Sequence, residues 1–129
     1  MPKSILVVDD DETQRFLIAQ ALIELGLRPV EAADAEEALA LLASSEPLDG
    51  VISDGILGRS GGLDLARAAR SMPAPRRELP FAIISAFSHP GFEQEARAAG
   101  ADLLLSKSLG WRACASAFNA LLLSRAPRA

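Results

Sequence analysis

The chain has 129 residues, 50% of them hydrophobic and 23% charged, and a formal net charge of −4. That length suits one ordinary domain with enough apolar material for a core, so disorder is excluded. The acidic balance argues against nucleic acid as a direct partner, and the single cysteine excludes a disulfide framework or a multi-cysteine zinc site.

Ile5-Leu6-Val7-Val8 is a short apolar run ending at acids and reads as a strand buried on both faces. Thr13 to Leu25 carries Leu17, Ala21, Leu22 and Leu25 at helical spacing, and Gly26 ends it. Arg28 to Ala32 follows as a weaker strand. Asp34 is placed to cap a second helix, with Glu37 as the return half of a capping box and Ala38, Leu41 and Leu42 on one face. Val51-Ile52-Ser53 ends at Asp54 as a third strand, Leu63 to Met72 is helical, and PAPRRELP is a loop. Phe81 to Ser85 gives a fourth strand, Phe92 to Ala99 a helix closed by Gly100, and Leu103-Leu104-Leu105 a fifth strand. The last helix carries Trp111, Cys114, Phe118 and Leu121 or Leu122 on its apolar stripe. Strands alternating with helices predict an α/β fold, a parallel sheet covered on both faces. No apolar run approaches the roughly 18 residues of a membrane span, and MPKSILVVDD is no signal peptide. A cytoplasmic location and no membrane partner are therefore expected.

In such sheets ligands collect at the carboxyl ends of the strands. There the sequence places Asp9-Asp10-Asp11, Asp54, Ser85 and Ser106-Lys107. Clustered carboxylates repel one another, and oxygen ligands of this kind suit Mg²⁺. A lysine adds a positive point charge for an anion, and a serine adds a hydrogen-bond donor. Carboxylates, Mg²⁺, lysine and a hydroxyl together point to phosphoryl transfer.

The segments ILVVDDDE, Asp54 with Gly62 beyond it, Ser85-Ala86, and GADLLLSK ending in Lys107 together resemble the receiver domain of two-component response regulators. The resemblance implies one receiver domain over 1–129 without an output domain, and a five-stranded flavodoxin-like sheet of order 2-1-3-4-5. It implies Asp54 as the residue phosphorylated by a histidine kinase or a histidine phosphotransfer protein. Asp9, Asp10, Asp54 and the backbone carbonyl of Ile56 would hold Mg²⁺, and Ser85 and Lys107 would contact the phosphoryl oxygens. A downstream protein effector would read the result. Such a module is no metabolic enzyme; it catalyses only its own phosphorylation and slow dephosphorylation. Ile56 and Phe87 stand two residues past Asp54 and Ser85, and being apolar they predict a slowly hydrolysed phosphate.

The chain departs from the family pattern at Leu57-Gly58 in place of Met-Pro, at Leu104 in place of the aromatic switch residue, and at Ser108 in place of proline. These departures keep open a degenerate receiver that docks without phosphorylation. At Ser108 a trans peptide is expected after Lys107, since cis before a non-proline costs about 2.5–4 kcal/mol. Asp9-x-Asp11-x-Thr13 also fits the opening of haloacid-dehalogenase-like phosphatases, but those enzymes carry acids after the lysine, and 108–129 has none. His89 reads as a solvated loop residue, Cys114 as a buried thiol, and Arg76-Arg77 as a solvated charge pair.

Overall fold

The computed structural model describes residues 2–57, 60–86 and 91–125, without the side chains of 56, 57 and 60. Five strands form one parallel sheet: β1 (Ser4–Val8), β2 (Arg28–Ala32), β3 (Gly50–Asp54), β4 (Phe81–Ser85) and β5 (Leu103–Ser106). Their spatial order is β2-β1-β3-β4-β5, as the resemblance implied. The helices are α1 (Glu12–Glu24), α2 (Ala35–Ala43), α3 (Gly62–Arg70), α4 (Phe92–Ala99) and α5 (Trp111–Ser124).

Side chains alternate across the strands and build a core on each face of the sheet. Leu6, Val8, Val51, Phe81 and Ile83 pack with Ala38 and Leu42 of α2, Leu65 and Ala69 of α3, and Ala96 of α4. Their neighbours Ile5, Val7, Ile52, Ala82 and Ile84 pack with Ile18 and Leu22 of α1 and Cys114, Phe118 and Leu122 of α5. Burial on both faces is why these strands read as unbroken apolar runs. Gly50 makes room for this layer: a Cβ there would stand 2.7 Å from the Phe118 ring. Cys114 is buried, as its place on the stripe predicts, and burial pushes its thiol pKa up.

Two helices begin at side-chain caps. Asp11 Oδ1 accepts from the Gln14 N–H at 2.9 Å, and Asp34 Oδ1 accepts from the Glu37 N–H at 2.7 Å. The buried face of α1 keeps the expected Ala21 and Leu22 but differs at the other two positions. Ile18, Ala19, Ala21 and Leu22 face inward, while Leu17 and Leu25 are 38% and 40% exposed. The helix carries apolar residues around much of its circumference, so more than one phase fits the spacing. The third helix ends at Arg70, short of the expected Met72.

Arginines clasp the edge of the sheet where the strands begin. Arg70 donates to the carbonyls of Gly100, Arg77 and Leu79 and to Asp102 Oδ2 at 2.9 Å. Asp102 in turn accepts from the Phe81 N–H, which ties α3 to the start of β4. The reading of Arg76 as a solvated charge is corrected here. Its guanidinium donates to the carbonyls of Leu42, Ser44 and Glu46 and closes the chain leaving α2; Arg77 is exposed. The loop PAPRRELP also contains a 3-10 turn, Arg76–Glu78.

Replacing Arg70 with Met keeps a long stem but takes its donors from three carbonyls and one of several donors from the Asp102 carboxylate. Arg70→Met is predicted to lower unfolding free energy by about 1–3 kcal/mol. Urea denaturation measures the change; an unaltered midpoint would deny the clasp its structural role.

Candidate functional site

The carboxyl ends of β1, β3 and β5 bring the predicted residues together. One oxygen from each of Asp9, Asp10 and Asp54 lies within 4.8 Å of the others. Asp9 is fully buried, Asp54 and Ser85 are 8% and 7% exposed, and Asp10 is exposed. Lys107 Nζ donates to Asp54 Oδ2 at 3.2 Å. Ser85 closes β4 beside Ser106, the last residue of β5, in register.

The turn after β1 aims Asp9 inward. Its N–H donates to the Ala32 carbonyl, and its Oδ1 accepts from the Asp11 N–H at 2.9 Å. Arg15 Nη1 donates to the Asp9 carbonyl at 2.8 Å while its Nε donates to Glu31 Oε1 at 3.1 Å. Asp9 Oδ2 is the buried side-chain oxygen without a hydrogen-bond partner among the described residues. Burial lifts the Asp9 pKa from 3.8 to about 6; the charges of Asp54 and Asp10 push the same way, against the Asp11 N–H and Lys107. A buried carboxylate oxygen without a donor, beside two further carboxylates, fits a hard divalent cation better than a side-chain donor.

Gly62 lets Asp54 sit where it does. A Cβ at Gly62 would clash with the Asp54 carbonyl oxygen, a backbone atom that cannot swing aside as the end of a flexible side chain can. The Ser53 hydroxyl donates to that same carbonyl at 2.9 Å. Beyond Asp54, Ile56–Leu57 pairs antiparallel with Ser60–Gly61, so the Ile56 backbone belongs to a short ladder leading away from the acid.

The Lys107–Ser108 peptide is trans, as expected; the cis bond among the described residues is Ala74–Pro75. Ser106 Oγ accepts from the Ser108 N–H at 3.2 Å and lies 2.7 Å from Ser108 Oγ. A proline at 108 could not donate that bond, so the serine pair shapes a turn of its own. Leu104 is half-buried against the α2–α3–α4 core. Phe87, His89 and the Ile56 side chain lie outside the described residues.

Two residues of the site were missed in the sequence. Gln14 Oε1 accepts from Lys107 Nζ at 2.6 Å, and Arg15 braces Asp9 as above. Both stand in the first turn of α1. The capping acid Asp11 was the available signal, because a cap fixes which residues of the first turn overhang a strand end. The described basic residues near the C-terminus also have partners within the chain: Lys107 with Asp54, Arg112 with Glu24, and Arg125 with Asp102; Arg128 lies outside the described residues.

The family model for the response regulator receiver domain matches residues 5–118. A response regulator, MprA, of Mycolicibacterium vanbaalenii is 34% identical over 127 residues, covering 98% of this chain and 53% of that protein. A probable chemotaxis protein CheY of Rhizobium etli is 31% identical over 104 residues, covering 80% of this chain and 79% of that protein. Among solved structures, a putative response regulator from Chloroflexus aurantiacus superposes with a TM-score of 0.86 at 27% identity, covering 97% of this chain and 100% of that one. The chemotaxis protein CheY4 of Vibrio cholerae gives 0.83 at 25% identity, covering 93% and 98%. The chain belongs to the response regulator receiver family. It spans about half the length of the MprA relatives it matches. No helix among the described residues is long and apolar enough to cross a membrane.

The raised Asp9 pKa has a consequence for stability without metal. Between pH 3.8 and about 6 the folded chain binds more protons at Asp9 than the unfolded chain does, so this contribution falls as pH rises through that window. Asp9→Asn removes the charge and supplies an N–H₂ donor toward the neighbouring carboxylates. In chelator-treated protein the variant is predicted to melt higher than the parent at pH 7, with the gap closing near pH 4. An equal gap at both pH values would contradict the assignment.

Proposed function

We propose that the chain accepts a phosphoryl group on Asp54 from the phosphohistidine of a histidine kinase or phosphotransfer protein, and so switches a surface read by a protein effector. The observation that supports it most is the Lys107–Asp54 pair beside the two acids that follow β1. A nearly buried carboxylate is held at 3.2 Å from a fixed cation, at the strand ends where this fold binds ligands.

In this reading an Asp54 carboxylate oxygen attacks phosphorus in line with the donor's P–N bond. A P–O bond forms as the P–N bond breaks, and its electron pair leaves on the imidazole nitrogen. Lys107 and Ser85 donate to the phosphoryl oxygens, where charge accumulates during transfer. Asp9, Asp10, Asp54 and the Ile56 carbonyl would hold Mg²⁺, which offsets the negative charge that carboxylates and phosphate bring together. The bond from Asp11 and the brace from Arg15 keep Asp9 in place. The product is a mixed anhydride, suited to a switch. A cytoplasmic setting and a receiver over 1–129 belong to the same reading.

Leu104 favours a switch without an aromatic rotamer, since it is an apolar side chain packed on the core. The docking-only reading draws on the same residue. Against the phosphatase reading stands the match to the receiver domain family over residues 5–118.

Incubation with acetyl phosphate and Mg²⁺ is predicted to label the parent and leave Asp54→Asn unlabelled. An unlabelled parent favours docking alone; a labelled Asp54→Asn places the acceptor elsewhere. Mg²⁺ is predicted to raise the melting temperature more at pH 7.5 than at pH 5, because protonating Asp9 competes with cation binding. Asp10→Ala should abolish that rise, and a Mg²⁺ effect indifferent to both changes would move the cation site.

A further inference from the structure

The Lys107 ammonium is shared between a carboxylate and an amide, and the amide is the nearer. Nζ stands 2.6 Å from Gln14 Oε1 and 3.2 Å from Asp54 Oδ2. Charge alone would draw it the other way. Gln14 is itself fixed, because its N–H donates to Asp11 Oδ1 at the cap of α1, and α1 is anchored through Ile18 and Leu22. The bond therefore ties the end of β5 to a helix 93 residues away in sequence.

We propose that Gln14 is a positioning residue for Lys107, holding the ammonium over Asp54 in readiness for the phosphoryl group. The proposal rests on the phosphoacceptor reading above. A lysine has three N–H donors on a flexible stem with considerable rotamer entropy. Gln14 takes one donor and Asp54 another, which leaves the third directed by the first two. A neutral acceptor does this without cancelling the positive charge that the phosphoryl oxygens need. A glutamate at the same place would add a further carboxylate to the acidic cluster and neutralise Lys107. An apolar side chain would release it.

The test uses the full chain with phosphoramidate as donor and Mg²⁺ present. Gln14→Met keeps length and helix propensity but has no acceptor oxygen. It is predicted to slow labelling of Asp54 about ten-fold, less than the roughly 10²–10³-fold cost of deleting a donor to a developing oxyanion. In the Lys107→Ala background the same substitution should cost nothing more, since the two side chains act as one unit. The ¹H–¹⁵N signal of the Lys107 ammonium, slowed in exchange by its two bonds, should broaden or vanish in Gln14→Met. Gln14→Ala is predicted to behave alike and serves if the Met variant melts below the parent. An unchanged ammonium signal, an unchanged labelling rate, or equal losses with and without Lys107 overturns the assignment. A parent that takes no label overturns the phosphoacceptor reading, and Gln14's role falls with it.

Discussion

Three carboxylates crowded at the end of one sheet repel one another, and the rest of the site is arranged around that repulsion. Within 4.8 Å, Asp9, Asp10 and Asp54 bring more negative charge than one lysine can offset. Asp9 carries the largest share of the strain, because it is fully buried and one of its oxygens has no donor among the described residues. Its proton affinity rises accordingly. A charge imbalance of this kind makes the pocket receptive to a cation. It also makes the energy of the site sensitive to any further anion placed there.

The fold holds the imbalance by separating its mechanical supports from its chemistry. Arg70 and Arg76 clasp the edge where the strands begin, and the acids project from the opposite edge. Both faces of the sheet are sealed by apolar layers, so the strand ends cannot drift apart to relieve the repulsion. At the site itself the constraints are backbone ones. Gly62 allows the Asp54 carbonyl its close approach, Asp11 pins Asp9 and caps α1, and Ser106 turns the chain that carries Lys107.

Much of this was legible in the sequence because it is local. The run Phe81 to Ser85 is the strand that its β-branched and aromatic residues suggest, and Phe92 to Ala99 with Gly100 is the helix and stop they suggest. The acids at the ends of β1 and β3 and the lysine after β5 could be placed together because a parallel sheet puts successive strand ends on one edge. What escaped depends on contacts between distant segments. On α1 the expected Ala21 and Leu22 do face inward, but Leu17 and Leu25 satisfy helical spacing as well as the buried Ile18 does, so half of the face was misjudged. Arg76 reads as a surface charge until the loop brings it under the carbonyls that end α2. Gln14 and Arg15 are unremarkable first-turn residues until Lys107 and Asp9 arrive from elsewhere in the chain.

The central claim is Asp54 as the covalent acceptor, and the bond itself can be trapped. An aspartyl phosphate is an acyl phosphate, which borohydride reduces to the alcohol, so a phosphorylated aspartate becomes homoserine. Treating the chain with acetyl phosphate and Mg²⁺, then borohydride, and sequencing the peptides by mass spectrometry locates the site directly. Homoserine is predicted at position 54, with unaltered aspartate at positions 9 and 10. Homoserine at either of those two positions, or at none of the three, would contradict the claim.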